Sequence, residues 1–237
     1  MRNASTEEYH ALDLLIVPSP KLSAEGEDFL EIDPATGLYT GGHLRMCAAA
    51  EFATRWQPHC IAVVGGLDPQ HGTRMTDAME NFIKERSGGA HVQKINSLPC
   101  TRHNVIALFN QLGPRLASGR VAMLTNEYHL RRLLEFWTRV ETEYEFRAAE
   151  PLAIAAEWII QSADTDFTSA ALERRRKAED RGVMDFRAGK YVDRCLSQLD
   201  SFGDEFATHA EQYLSPKERT DLSVQPITAS PDKAVSS

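Results

Sequence analysis

Cysteine is scarce and scattered: Cys47, Cys60, Cys100 and Cys195 are the only four in 237 residues. None has C-x-x-C spacing, and a chain of this length can bury a core without a disulfide framework, so the pattern points to a reducing compartment. Long apolar runs are missing too. The stretch from Leu12 to Val17 is far short of the roughly 20 residues a membrane helix needs, and it lies behind Glu7 and Glu8, unlike a signal peptide. A cytoplasmic protein with no membrane span is expected. Positive charge is in the minority, with 26 Lys and Arg against 34 Asp and Glu and a net charge of −8, which argues against a nucleic-acid partner. The one dense basic run, Arg174-Arg-Arg-Lys177, is interleaved with Glu173, Glu179 and Asp180 and reads as the solvated face of a helix.

Several catalytic signatures are also absent. There is no H-E-x-x-H or H-x-x-x-H pair among His43, His59, His71, His103 and His129 and no Cys partner at ligand spacing, so no metal is expected. No G-x-S-x-G elbow, G-x-x-x-x-G-K-[ST] loop or G-x-G-x-x-G fingerprint occurs, which removes the main support for an α/β-hydrolase, a P-loop NTPase or a dinucleotide-binding dehydrogenase.

What is present is an alternation of short apolar runs and helical periodicity. Leu12 to Val17 reads as a first buried strand, followed by an acidic loop containing Gly and Pro that extends to Thr40. A helix is expected from Gly41 to Trp56, then a strand from Cys60 to Val64 ended by Gly65-Gly66. A second helix should start near Thr73 and stop at Ser87-Gly-Gly89. Val92 to Ile95 is a weak third strand, Asn104 to Leu116 a third helix with Thr101 as its cap, and Val121 to Leu124 a fourth strand. A short strand at Tyr144 to Arg147 is also expected.

This order predicts an α/β fold: a Rossmann-like open, mainly parallel sheet with flanking helices, built from right-handed βαβ units over residues 1–148. Residues 149–214 lose the alternation. Helical patterns at Ile154 to Ile160, Phe167 to Asp180, Tyr191 to Leu199 and Phe202 to Leu214, punctuated by Gly182 and Gly189, suggest a carboxyl-terminal helical lobe. Residues 215–237 have almost no apolar periodicity and read as a disordered tail.

Ligands of such sheets bind beyond the carboxyl ends of the strands, and those segments are polar or Gly-rich here. The densest is Thr125-Asn-Glu-Tyr-His-Leu-Arg131, where a strand runs into a helix start that favours anions. His129, with Glu127, Tyr128 and Arg131 within one turn, is placed for general acid or base work near neutral pH. Thr125, Tyr128 and Arg131 would contact the ligand. Arg45 would either direct its fork at an anion or form a surface ion pair. Asp77 is either a catalytic or hydrogen-bonding carboxylate or a helix cap, and Thr101 and Asn104, spaced i, i+3, either face the crevice or close a helix end. Gly65 and Gly66 would offer backbone donors to a ligand or simply form a turn.

In order and spacing, Leu12-Asp-Leu-Leu-Ile-Val17, Arg45 with Ala48-Ala49, Val63-Val-Gly-Gly66, Thr76-Asp-Ala78, Thr101-x-x-Asn104 and Leu124-Thr-Asn-Glu-Tyr-His-Leu-Arg131 resemble the YdcF/SanA/ElyC-like family over residues 11–140. The sequence departs from that family's pattern at Asp77, where Glu is usual, at Leu98, where Ser is usual and Ser97 is displaced by one, and at Arg132, where Ala is usual. The resemblance implies a Rossmann-like domain with a polar pocket at the strand ends. It does not imply a reaction, because the family's activity is largely unknown. Some members work in the cell envelope from a membrane anchor, and no anchor-like run is seen here. Analogy with nucleotide-binding folds suggests S-adenosylmethionine or another nucleotide as the ligand. The expectation is therefore a cytoplasmic enzyme acting on a small anionic or nucleotide-like substrate. The alternative is a non-catalytic nucleotide-binding or partner-binding module.

Overall fold

The computed structural model describes residues 6–19, 41–68, 73–160, 169–188 and 211–224. A short helix α1 (Thr6–His10) leads into β1 (Leu14–Pro18), α2 (Gly41–Trp56), β2 (Ile61–Asp68), a two-residue β3 (Thr73–Arg74) and α3 (Met75–Arg86). Then come β4 (Val92–Ser97), α4 (Thr101–Ser118), β5 (Val121–Thr125), α5 (Glu127–Glu143), β6 (Leu152–Ala155), α6 (Ala156–Ile159), α7 (Ser169–Arg187) and α8 (Pro216–Val224).

β4, β2, β1, β5 and β6 lie side by side in that order and all pair in parallel, and β3 folds back antiparallel on the end of β2. This is an open Rossmann-like sheet. The chain builds outward from β1 to β4, then crosses back through α4 to start β5 on the other side of β1. That reversal opens a crevice between the carboxyl ends of β1 and β5.

Period-two alternation within buried strands divides the core between the two faces. Leu15 and Val17 of β1 with Ile61 and Val63 of β2 pack against α2 and α3, whereas Leu14, Ile16, Ala62 and Val64 pack against α4 and α5. α5 has the clearest amphipathic pattern: Leu130, Leu133, Phe136, Trp137 and Val140 recur at three- and four-residue spacing and are all buried. α7 then docks on the outer side of α5. Its ion pairs include Arg176 to Glu127, Asp180 to Arg131, Glu179 to Arg132 and Arg187 to Glu135, and Phe186 packs on Phe136.

The observed elements correct several expectations. β2 is not broken by Gly65-Gly66 but runs through them to Asp68, paired in register with Asn96 and Ser97 of β4. Both glycines are needed for close approach: a Cβ on Gly66 would stand 2.6 Å from the Pro99 nitrogen, and one on Gly65 2.6 Å from Ser19 Cβ. α3 begins at Met75, not Thr73, because Thr73 and Arg74 pair with β2. Residues 144–147 form no strand, since Tyr144 and Phe146 turn their rings edge-on to Phe109 of α4. The edge strand is instead β6, which takes Ile154 from an expected helix, so the sheet extends past residue 148.

Gly182 does not interrupt α7. Pro216–Val224, expected to be tail, is helical because Ser215-Pro-Lys-Glu218 forms a capping box, with Ser215 Oγ accepting the Glu218 amide at 3.2 Å and Glu218 Oε2 accepting the Ser215 amide at 2.8 Å. The expected loop at 20–40, the helix at 191–199, most of that at 202–214, Gly189 and residues 225–237 lie outside the described residues. Among those described, no helix is long and apolar enough to cross a membrane.

Candidate functional site

Among the described residues, buried polar side chains are few beside the apolar ones, and most of them lie at one end of the sheet. Arg45, Thr76, Ser97, Thr101, Asn104, Thr125, Asn126 and His129 are all buried, and all belong to the carboxyl ends of strands or the first turns of the helices that follow. Burying polar groups is costly unless each is bonded, and the bonding here joins one strand end to the next.

Arg45 is the centre of the first chain of contacts. It lies one turn into α2, 3% exposed, and points across the crevice. Its Nη1 donates to the Pro18 carbonyl at the end of β1 at 2.7 Å, and Nε and Nη2 both donate to Asn126 Oδ1 at the end of β5, at 3.1 and 2.9 Å. Asn126 Nδ2 donates in turn to Glu157 Oε1 at 3.2 Å, and Glu157 Oε2 accepts the Glu127 amide at 2.8 Å, capping α5 from α6. Among the described residues the guanidinium's hydrogen-bond acceptors are all uncharged. Burial lowers its pKa, with Tyr128, Glu157 and Glu179 pulling the other way, yet an arginine keeps its charge at any physiological pH. Tyr128 closes the same corner: its hydroxyl lies against Gly41, where a Cβ would collide with it.

His129 is the centre of the second. It is 5% exposed; Nδ1 lies 3.1 Å from Thr125 Oγ1 and Nε2 3.3 Å from Thr101 Oγ1, so one imidazole joins the end of β5 to the start of α4. Burial, then the charges of Arg132 and Arg45, hold its pKa well below the ordinary range, and the ring is neutral at pH 7. Ser97 donates to Asn104 Oδ1, joining the end of β4 to the first turn of α4. Thr76 donates to Asn96 Oδ1 at 2.8 Å, tying α3 to β4.

The structure thus gathers Arg45, Thr101, Asn104, Thr125, Tyr128 and His129 of the expected residues at the strand ends. Gly65 and Gly66 lie there too, with their close approach made to the loops after β4 and β1. Thr101 is the first residue of α4 and not its cap; Cys100 is the cap. Asp77 and Arg131 are not brought in: Asp77 is ion-paired on the surface with Lys94 at 2.9 Å, and Arg131 with Asp180 at 2.8 Å. Asn126 and Glu157 were missed. Asn126 is an asparagine immediately before a helix, a signal for a cap, but its side chain serves Arg45 instead. Glu157 carries no comparable signal, because its place depends on β6. No three His, Cys, Asp or Glu side chains among the described residues are grouped to hold a metal ion.

No protein-family model matches the chain, and no curated protein or solved structure matches it. The fold and the geometry at the strand ends are what carry the functional reading.

Proposed function

We propose that this is a cytoplasmic, YdcF-like α/β enzyme that binds a small anionic or nucleotide-like substrate in the crevice between β1 and β5. The observation that supports this reading best is Arg45, a buried guanidinium at the topological switch point whose described hydrogen-bond acceptors are a carbonyl and a carboxamide. A buried charge whose hydrogen bonds all go to neutral dipoles is costly, and an incoming anion would offset that cost while using the amide end of α2. Arg45, not the surface residue Arg131, carries the ligand charge in this reading. His129 is in its base form at neutral pH and would accept a proton from a substrate that displaces one of its two threonine hydroxyls.

A second reading has its own support. Both ring nitrogens of His129 are already engaged by hydroxyls, which suits a brace in a non-catalytic binding module. The two readings separate when the chain is incubated with nucleotides, S-adenosylmethionine, sugar phosphates and carboxylates, and each compound is followed by mass spectrometry. Consumption of a ligand that also raises the unfolding temperature, abolished in His129→Gln, supports the enzyme. Stabilisation with the ligand recovered intact supports the binding module, and neither effect with any compound overturns both.

A further inference from the structure

At the amino terminus of α4 a thiol, an imidazole and a carboxylate stand in series. Cys100 Sγ accepts the His103 amide at 3.3 Å and lies 3.0 Å from Nδ1 of the same residue's ring. His103 is fully buried, and its Nε2 is 3.4 Å from Glu218 Oε1. Glu218 is fixed from behind by Arg102 and by the Ser215 amide. Among the described residues, the charged and titratable groups around this series include Arg102 and His103 from α4, Glu143 and Tyr144 from α5, and Glu218 and Arg219 from α8. Burial pushes Tyr144 up to about 12, so it stays neutral.

The arrangement favours a thiolate. A proton leaving Sγ has Nδ1 within reach, Glu218 stabilises the resulting imidazolium from the far side, and the helix amides and the His103 N–H stabilise the sulfur anion. The other described cysteines lack this environment: Cys60 is buried, and burial raises the Cys47 thiol. Cys100 is partly exposed and is not in a disulfide.

We infer that Cys100 is a reactive thiolate and the site at which this chain is modified by small hydroperoxides. The sulfur attacks the terminal peroxide oxygen and the O–O bond breaks. The sulfur is oxidised by two electrons to a sulfenic acid, the peroxide is reduced, and the departing oxygen leaves as water or alcohol with the proton held on His103. A low-molecular-weight thiol then condenses with the sulfenic acid, forming a mixed disulfide and releasing water.

The test is peptide-resolved iodoacetamide labelling of the whole folded chain between pH 5 and 9, with a parallel arm of hydrogen peroxide followed by dimedone at pH 6.5. Cys100 is expected to reach half its maximal labelling rate about two pH units below the ~8.5 of an ordinary thiol, and to take up dimedone while Cys47 does not. In His103→Gln the midpoint should return toward the ordinary value; if that variant fails to fold, the profile of the unaltered chain decides. An ordinary midpoint, labelling only after denaturation, a midpoint unmoved in folded His103→Gln, or peroxide treatment without a dimedone adduct would each overturn the inference.

Discussion

Two arginines withdrawn from water are treated in opposite ways by this fold. Arg102, at the start of α4, is clamped between the carboxylates of Glu218 and Glu143; burial alone would lower its pKa, but the two acids raise it. Arg45, at the start of α2, has a carbonyl and a carboxamide instead, and burial prevails and lowers its pKa. The first arginine is neutralised within the protein and ties α8 to the sheet domain. The second has its geometry satisfied but no carboxylate among its acceptors; Glu157, reached through Asn126, and Glu179 act on its charge only from a distance. A fixed guanidinium of that kind, at a crevice rimmed by helix amino termini, is suited to an external anion. Satisfied hydrogen bonds and satisfied charge are separate conditions, and a site for a charged ligand can be recognised where the first is met without the second.

The comparison breaks most severely at Glu218. Burial alone would raise this carboxyl, but His103, Arg102 and the Ser215 amide pull it well below the ordinary range. Glu218→Ala leaves Arg102 half-paired and removes the acceptor of the Ser215 amide, the side-chain half of the α8 capping box, and should cost about 3 kcal/mol in urea unfolding. A loss under about 0.5 kcal/mol, typical of an exposed pair, would mean that the clamp contributes little.

Arg45→Met should cost less, about 1–2 kcal/mol. It strands the Pro18 carbonyl and Asn126 Oδ1, but it also removes a buried charge that lacks a direct counter-ion. If Arg45→Met were costlier than Glu218→Ala, Arg45 would have to be regarded as the better compensated of the two.

The third effect is on pH. The His129 imidazole titrates well below its ordinary 6.5 in the folded chain, so just beneath that pH the unfolded chain binds a proton that the folded chain does not. Stability is therefore complete above about 6.5 and falls as the pH drops, by up to about 1.4 kcal/mol per unit, until the folded imidazole also protonates. The difference between the parent and His129→Gln, followed by denaturant unfolding from pH 7 to 5.5, isolates this slope; parallel curves would show that burial does not shift the ring.

Smallest of all should be Asp77→Asn and Arg131→Ala, whose ion pairs are about half exposed. Each is expected to change stability by less than about 0.5 kcal/mol and to leave any anion effect intact. Loss of anion stabilisation in Arg131→Ala would return that residue to the site.

Much of the fold was legible because strand burial and helix periodicity are local signals. Leu-Leu-Ile-Val in β1 and the Leu130, Leu133, Trp137 stripe of α5 state their elements without help from elsewhere. The errors came where distant pairing decides. Gly65-Gly66 looks like a turn until β4 runs beside it, Tyr144 to Arg147 alternates like a strand but packs its rings on Phe109, and Ile154 joins β5 instead of a helix. The site divides the same way. Arg45 and the Thr125 to His129 stretch announce themselves by residue type beside apolar runs, and residue type alone made Asp77 and Arg131 look equivalent to them. Only the docking of α7 and the position of β4 show that these two face outward, and only the sheet edge brings Glu157 behind Asn126.

The central claim, that Arg45 has a charge awaiting an anion, is tested most directly by titrating the unfolding temperature with inorganic phosphate at constant ionic strength, for the parent chain and for Arg45→Lys. The substitution keeps the charge and loses the planar fork. The account predicts a midpoint that rises with phosphate and saturates in the parent, and a markedly weaker rise in the variant. A flat response in the parent, or the same rise in both, would contradict it.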